Sequence, residues 1–159
     1  MTASAKTIEL QGHRGARGVL PENTIPGFKN AIAAGSNCLE LDIAMTRDGR
    51  IVITHDPVFN PDIVSKDGSW VTDPPPIKSL TYEEVKTYDV GTLRPRSEYA
   101  RRFAKQQAID DLPIPLLEDL FELPEVKNNP TLCHHSSHLR LYRFLDNGLQ
   151  YAHQVNGLV

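Results

Sequence analysis

Along residues 8–126 the apolar positions recur in two rhythms, every second residue in some stretches and every third or fourth in others. Ile8 to His13 leads with apolar residues and predicts a short first strand ending at the histidine. Gly15 to Asn23 is punctuated by glycine and proline, the composition of a loop. Asn23 or Thr24 then caps a helix running to about Ala34, with Ile25, Phe28 and Ile32 on one buried face and Gly35 as its stop. Cys38 to Thr46 alternates as a strand, Ile51 to His55 forms another, and Asp48-Gly49 between them signals a hairpin. Asp56 to Pro76 contains Asp67-Gly68 and three consecutive prolines, so it is expected to be mostly loop. Thr81 and Glu84 have capping-box spacing and open a helix to about Tyr88. Ser97 to Gln107 predicts a basic, polar helix, followed by a loop to Pro115 and a short amphipathic helix from Leu116 to Leu123. In the tail, Leu141, Phe144, Leu145 and Leu149 are spaced for one face of a short helix stopped near Gly148.

A strand, a helix, a strand and a later helix predict an α/β architecture with crossover connections. The 159 residues, 40% hydrophobic, suffice for one ordinary core, so a single domain is expected. A net charge of −3 argues against a nucleic-acid partner drawn by a basic field. No apolar run approaches the ~20 residues of a membrane-spanning helix. Met1 to Leu10 has no apolar stretch of signal-peptide length, which places the chain as written in the cytoplasm, or in the periplasm or outside the cell if a leader precedes it. Cys38 and Cys133 are too few for a disulfide scaffold and are read as reduced thiols.

Candidate chemistry gathers early. Glu40 and Asp42 are two apart in a strand, so both point to one face while Leu39, Leu41 and Ile43 point to the other. Two carboxylates on one face repel unless a cation compensates, which favours a hard divalent metal; a solvated strand face is the alternative. A two-residue turn at Asp48-Gly49 would set Asp42 opposite His55 and bring that imidazole beside the carboxylates. A three-residue turn with a bulge would slip the register by one and turn His55 away. His13, at a strand end, and His55 are imidazoles able to act as acid or base near neutrality. Arg14 offers a planar donor fork suited to phosphate oxygens, or else a surface ion pair.

The ordered words His13-Arg14-Gly15, Pro21-Glu22-Asn23-Thr24, Glu40-Leu41-Asp42, Thr46-Arg47-Asp48-Gly49 and His55-Asp56 resemble the glycerophosphodiester phosphodiesterase family. Asn60-Pro61-Asp62, Ser79-Leu80-Thr81, Tyr88-Asp89-Val90-Gly91, Leu93-Arg94-Pro95 and Ile114-Pro115-Leu116-Leu117-Glu118 extend the likeness to its bacterial branch, over residues 8–124. The resemblance implies the N-terminal portion of a (β/α)8 barrel, incomplete because a full barrel takes ~250 residues. It further implies metal-dependent hydrolysis of a small-molecule glycerophosphodiester to sn-glycerol 3-phosphate and an alcohol. His13 and His55 would be the acid/base pair, Arg14 the phosphate contact, Glu40 and Asp42 ligands of Mg²⁺ or Ca²⁺, and Glu22 and Asn23 supporting residues.

On this reading residues 8–126 form a partial domain of that family and residues 127–159 are a divergent, unassigned tail. The family places a third metal-binding Glu and a nearby Lys on the next strand, and Asn128 to His135 offers neither. Truncation or a frameshift would explain that loss. Cys133, His134, His135 and His138 are zinc-ligand types, but their spacing matches no established zinc pattern. Two outcomes are therefore expected to compete: an enzyme of this family, or a catalytically impaired fragment or binding module derived from it. A related phospholipase D-like activity on choline lipids fits the Pro-Glu-Asn-Thr and Leu-Arg-Pro words less well. An incomplete barrel is also expected to self-associate.

Overall fold

The computed structural model describes Ile8, residues 10–129, and the strand segments Arg140–Leu145 and Gly148–Tyr151. The chain opens with a strand, β1 (Gln11–His13), a helix, α1 (Ile25–Ala33), and a second strand, β2 (Cys38–Glu40), laid parallel to β1. The register pairs Gln11 with Cys38, Gly12 with Leu39 and His13 with Glu40, so both strands end at the same level. This βαβ unit is the crossover that the strand–helix–strand pattern predicts.

Local chemistry fixes α1 at both ends. Of the two expected caps it is Thr24 that serves, its hydroxyl oxygen accepting from Gly27 N at 3.3 Å. At the other end Gly35 takes φ +93°, donates to Ile32 O, and Ser36 N reaches Ala31 O at 3.0 Å, a Schellman closure. Phe28 is fully buried and packs with Leu41, Ile43, Ile53, Leu120 and Val126; Ile25 and Ile32 flank it, half-buried.

The expected continuous strand from Cys38 to Thr46 is divided at Leu41. Its second part, β3 (Asp42–Met45), pairs antiparallel with β4 (Ile51–Ile53). Here the structure corrects the two-residue hairpin. Ile43 lies opposite Ile53, Ala44 opposite Val52 and Met45 opposite Ile51, with Thr46 N bonded to Arg50 O, so the loop is Arg47-Asp48-Gly49. Asp42 O accepts from Thr54 N, and His55 is not Asp42's cross-strand partner. The reason is local. The Thr46 hydroxyl donates to Asp48 Oδ1 (2.6 Å) and accepts from Arg50 N (2.9 Å), while only Gly49 of the three loop residues takes positive φ, +80°. That is the three-residue turn with its bulge glycine, which needs one left-handed residue rather than two.

A small hairpin, β5 (Ser65–Lys66) with β6 (Ser69–Trp70), turns on Asp67-Gly68 within the segment expected to be loop. The later helices are shorter than their patterns: α2 (Tyr82–Val85), α3 (Glu98–Arg102), α4 (Leu117–Phe121) and α5 (Pro124–Lys127). Pro124 divides the last two, fitting at the first turn of a new helix but not inside an old one. Ala44, Val52, Phe59, Val64, Ile77, Val85, Tyr88, Val90, Ile114 and Leu116 form a second core cluster.

The tail is also corrected. Instead of a helix, β7 (Arg140–Leu145) runs parallel to β3, pairing Asp42 with Arg140, and β8 (Gly148–Tyr151) returns antiparallel to β7. Short apolar runs fit either element. Cys133, His134, His135 and His138 lie outside the described residues. Among the described residues the strands form open sheets that do not close into a barrel, and no helix is long and apolar enough to cross a membrane.

Candidate active site

The strand ends converge on Arg14. After β1 the chain turns sharply, with Arg14 at φ +51° and Gly15 at φ +80°, and Gly15 N bonds to Gly12 O at 3.1 Å. Glycine is required at this corner: a Cβ on Gly15 would stand 2.8 Å from Gly27 C in α1. The strained Arg14 backbone is held from two sides. Its N–H donates to Glu40 Oε2 (3.0 Å), and its carbonyl accepts from Asn23 N (2.9 Å), itself at φ +54°. The His-Arg-Gly word, the Pro-Glu-Asn-Thr word and the Glu-Leu-Asp word therefore form one interlocked cluster. Left-handed non-glycine residues of this kind concentrate where a site over-determines its backbone.

Arg14 is 9% exposed and Glu22 8%. Nη1 of the arginine donates to Glu22 Oε1 at 2.9 Å and lies 3.4 Å from the Tyr99 hydroxyl. Nε stands 3.5 Å from Asp42 Oδ2 without a hydrogen bond, and both of those buried atoms, together with Asn23 Oδ1, lack a hydrogen-bond partner. Burial opposes the guanidinium's charge, but Glu22, Tyr99 and Asp42 outweigh it and raise its proton affinity above the ordinary value. Arg14 is thus a buried, permanent cation.

Glu40 and Asp42 do share a face, as the alternation predicts: both reach Arg14, while Leu41 and Ile43 pack against Phe28. Burial, then Glu40, raises the Asp42 proton affinity, and His55, Arg14 and His13 oppose the rise. His13 Nε2 lies 3.8 Å from Glu40 Oε2 with its side chain half exposed. His55 Nδ1 is 2.8 Å from Asp56 Oδ1. His55 is thus among the groups that favour the ionised Asp42, although it is not its cross-strand partner.

The donor set suits a hard cation in kind: two carboxylates, with buried Asp42 Oδ2 and Asn23 Oδ1 both unsatisfied. In number it is sparse, because among the described residues no group of three or more His, Cys, Asp or Glu side chains is arranged around a metal position. Asp56 was named in the His55-Asp56 word but given no role, whereas two further neighbours of the cluster, Arg17 (Nη1 3.9 Å from Glu22 Oε2) and Tyr99, carry no local signal.

Residues 13–136, well over half of the chain, match the glycerophosphoryl diester phosphodiesterase family model. The uncharacterized Bacillus subtilis protein YqiK is 37% identical over 112 residues, 70% of this chain and 38% of that protein. A glycerophosphodiester phosphodiesterase of Caldanaerobacter subterraneus is 34% identical over 118 residues, 74% of this chain and 40% of that one. A Silicibacter pomeroyi crystal structure assigned to the same activity superposes with a TM-score of 0.71 at 38% identity, covering 74% of this chain and 40% of its own. The chain therefore spans about two fifths of the length of the relatives it matches, and shares part of their (β/α)8 barrel. By its fold, its interlocked motifs and the extent of that match, the chain belongs to the glycerophosphoryl diester phosphodiesterase family.

Proposed function

We propose that this site binds and hydrolyses glycerophosphodiesters, yielding sn-glycerol 3-phosphate and an alcohol, with Mg²⁺ or Ca²⁺ held by Glu40 and Asp42. The observation that carries the reading is the buried Arg14, locked by Glu22 and set beside Glu40 and Asp42, with the half-exposed His13 on Glu40. Arg14 supplies fixed N–H donors to the non-bridging phosphate oxygens. His13 and His55 form the acid/base pair: one accepts a proton from the attacking water as its oxygen bonds to phosphorus, and the other protonates the alcohol oxygen as its bond to phosphorus breaks. Asp56 on Nδ1 leaves Nε2 of His55 for the substrate. A bound divalent cation supplies charge stabilisation at the phosphoryl oxygens. Glu22 and Asn23 support the site by fixing Arg14.

Among the described residues no three His, Cys, Asp or Glu side chains are grouped to hold a metal ion, which favours a second reading, in which the chain binds such diesters but turns them over weakly. One assay separates the two. Glycerophosphocholine turnover in Mg²⁺ or Ca²⁺ is measured beside sn-glycerol 3-phosphate binding, in the full chain and its variants. For the enzyme, His13→Ala and His55→Ala each lower turnover by roughly 10²–10⁴-fold and Glu40→Ala abolishes it. For the binder, affinity falls in Arg14→Ala, while the weak turnover of wild type is unchanged in His13→Ala, His55→Ala and Glu40→Ala. A protein that neither binds nor hydrolyses removes both readings.

A further inference from the structure

Tyr99 enters this site from α3, at a sequence separation of 85 from Arg14. Its hydroxyl donates to Glu22 Oε2 at 2.5 Å, so Glu22 uses one oxygen for Arg14 and the other for the tyrosine. The Tyr99 ring stacks at a tilt on Phe103 (4.9 Å between centroids), whose face also carries the Arg17 guanidinium at 4.8 Å. No side chain of α3 is fully buried, yet this one reaches a buried ion pair.

The consequence lies in what Arg14 does not do. Its Nε and Asp42 Oδ2 are 3.5 Å apart, oppositely charged, buried, and still not hydrogen-bonded. Were Glu22 able to turn, the guanidinium could close onto Asp42, consuming a phosphate donor and a candidate metal ligand together. Glu22 anchored at both oxygens prevents this. We propose that Tyr99 is a positioning residue for phosphate recognition: through Glu22 it fixes Arg14 in the orientation that leaves its other N–H groups, and Asp42, available to ligand. This rests on the phosphodiester reading above. Burial and Glu22 push the Tyr99 hydroxyl up to about 12, so it remains a protonated donor at neutral pH.

The test is calorimetric titration of the full chain with sn-glycerol 3-phosphate, comparing wild type, Tyr99→Phe, Glu22→Gln, their double variant, and Phe103→Leu. Tyr99→Phe keeps the ring and is expected to weaken binding by about tenfold, the equivalent of one hydrogen bond to a charged group. Glu22→Gln weakens it further, and adding Tyr99→Phe to it changes nothing more, because the tyrosine acts through Glu22. Phe103→Leu, which loosens the packing of α3 but spares the hydroxyl, leaves affinity within twofold. Wild-type binding with an unchanged Tyr99→Phe, losses that add in the double variant, or an equal loss in Phe103→Leu overturns the proposal and leaves the phosphodiester reading standing. No binding by wild type overturns that reading and the proposal with it.

Discussion

At Asp42, burial opposes the charge that the site's chemistry calls for. Burial and Glu40 together raise its proton affinity, so the ionised form destabilises the folded chain relative to the unfolded one. For a carboxyl raised in this way the native state holds the extra proton, and stability falls as pH rises through the carboxylate range. Asp42→Asn is therefore expected to raise the melting temperature at neutral pH in EDTA, with the gain vanishing in acid, where both states of the wild-type residue are protonated. Mg²⁺ or Ca²⁺ should stabilise wild type and not the variant; thermal melts across pH with and without cation measure both. An Asp42→Asn chain that melts below wild type at neutral pH would show that the Arg14 pairing dominates. Gly15→Ala is expected to destabilise by 1 kcal/mol or more, since it combines φ +80° with a 2.8 Å clash, and urea denaturation measures it. His13, Arg14, Glu22, Asn23, Glu40 and Asp42 were legible because each sits in a short word whose spacing is local. Tyr99 was not, because its partnership is made by tertiary folding alone.

At the scale of elements, local signals predicted α1, α2 and the β3–β4 hairpin by type, whereas lengths, register and the tail, where strands stand in place of a helix, were not predicted. The α1 caps and the shared face of Glu40 and Asp42 followed from sequence because each depends on neighbouring residues. The β3–β4 register did not, since Asp48-Gly49 serves either turn and the decision fell to the Thr46 hydroxyl. In α2 the capping box formed as spaced: Glu84 N donates to the Thr81 hydroxyl, and Thr81 N to Glu84 Oε2 (2.7 Å). Thr81→Ala should cost about 1 kcal/mol, read by chemical denaturation. The hydrogen bonds from the Thr81 backbone and side chain hold the Glu84 carboxyl below its usual range. The stabilisation it gives is thus present above the unfolded-state value and disappears as pH falls through the lowered native one. Hydrogen-exchange protection along α2, taken relative to the intrinsic exchange rate at each pH, should fall in acid for wild type, whereas Glu84→Gln should be less protected already at neutral pH.

At the scale of the molecule, β1 and β2 form a two-stranded sheet among the described residues, and an open groove beside β1 and α1 is lined in part by Gly12, Val19, Ala31, Ala34 and Phe103. Leu10 is 55% exposed and Val19 43%, so apolar surface is left uncovered beside β1. Apolar surface of this kind favours contact with another chain unless charge blunts it. The fold class was legible, because strand and helix rhythms survive in any part of such a barrel, but how uncovered apolar surface is satisfied is a property of the assembled surface. Concentration-dependent self-association is therefore expected, measured by sedimentation velocity. Leu10→Lys and Val19→Lys place charges at exposed positions and should shift the population toward monomer without lowering the melting temperature. Phe28→Ala, in contrast, removes a fully buried ring between α1 and the sheet, should cost about 3–5 kcal/mol, and should increase association by populating opened states. A monomer at every concentration, unaffected by the lysine substitutions, would mean that the groove is satisfied within the chain itself.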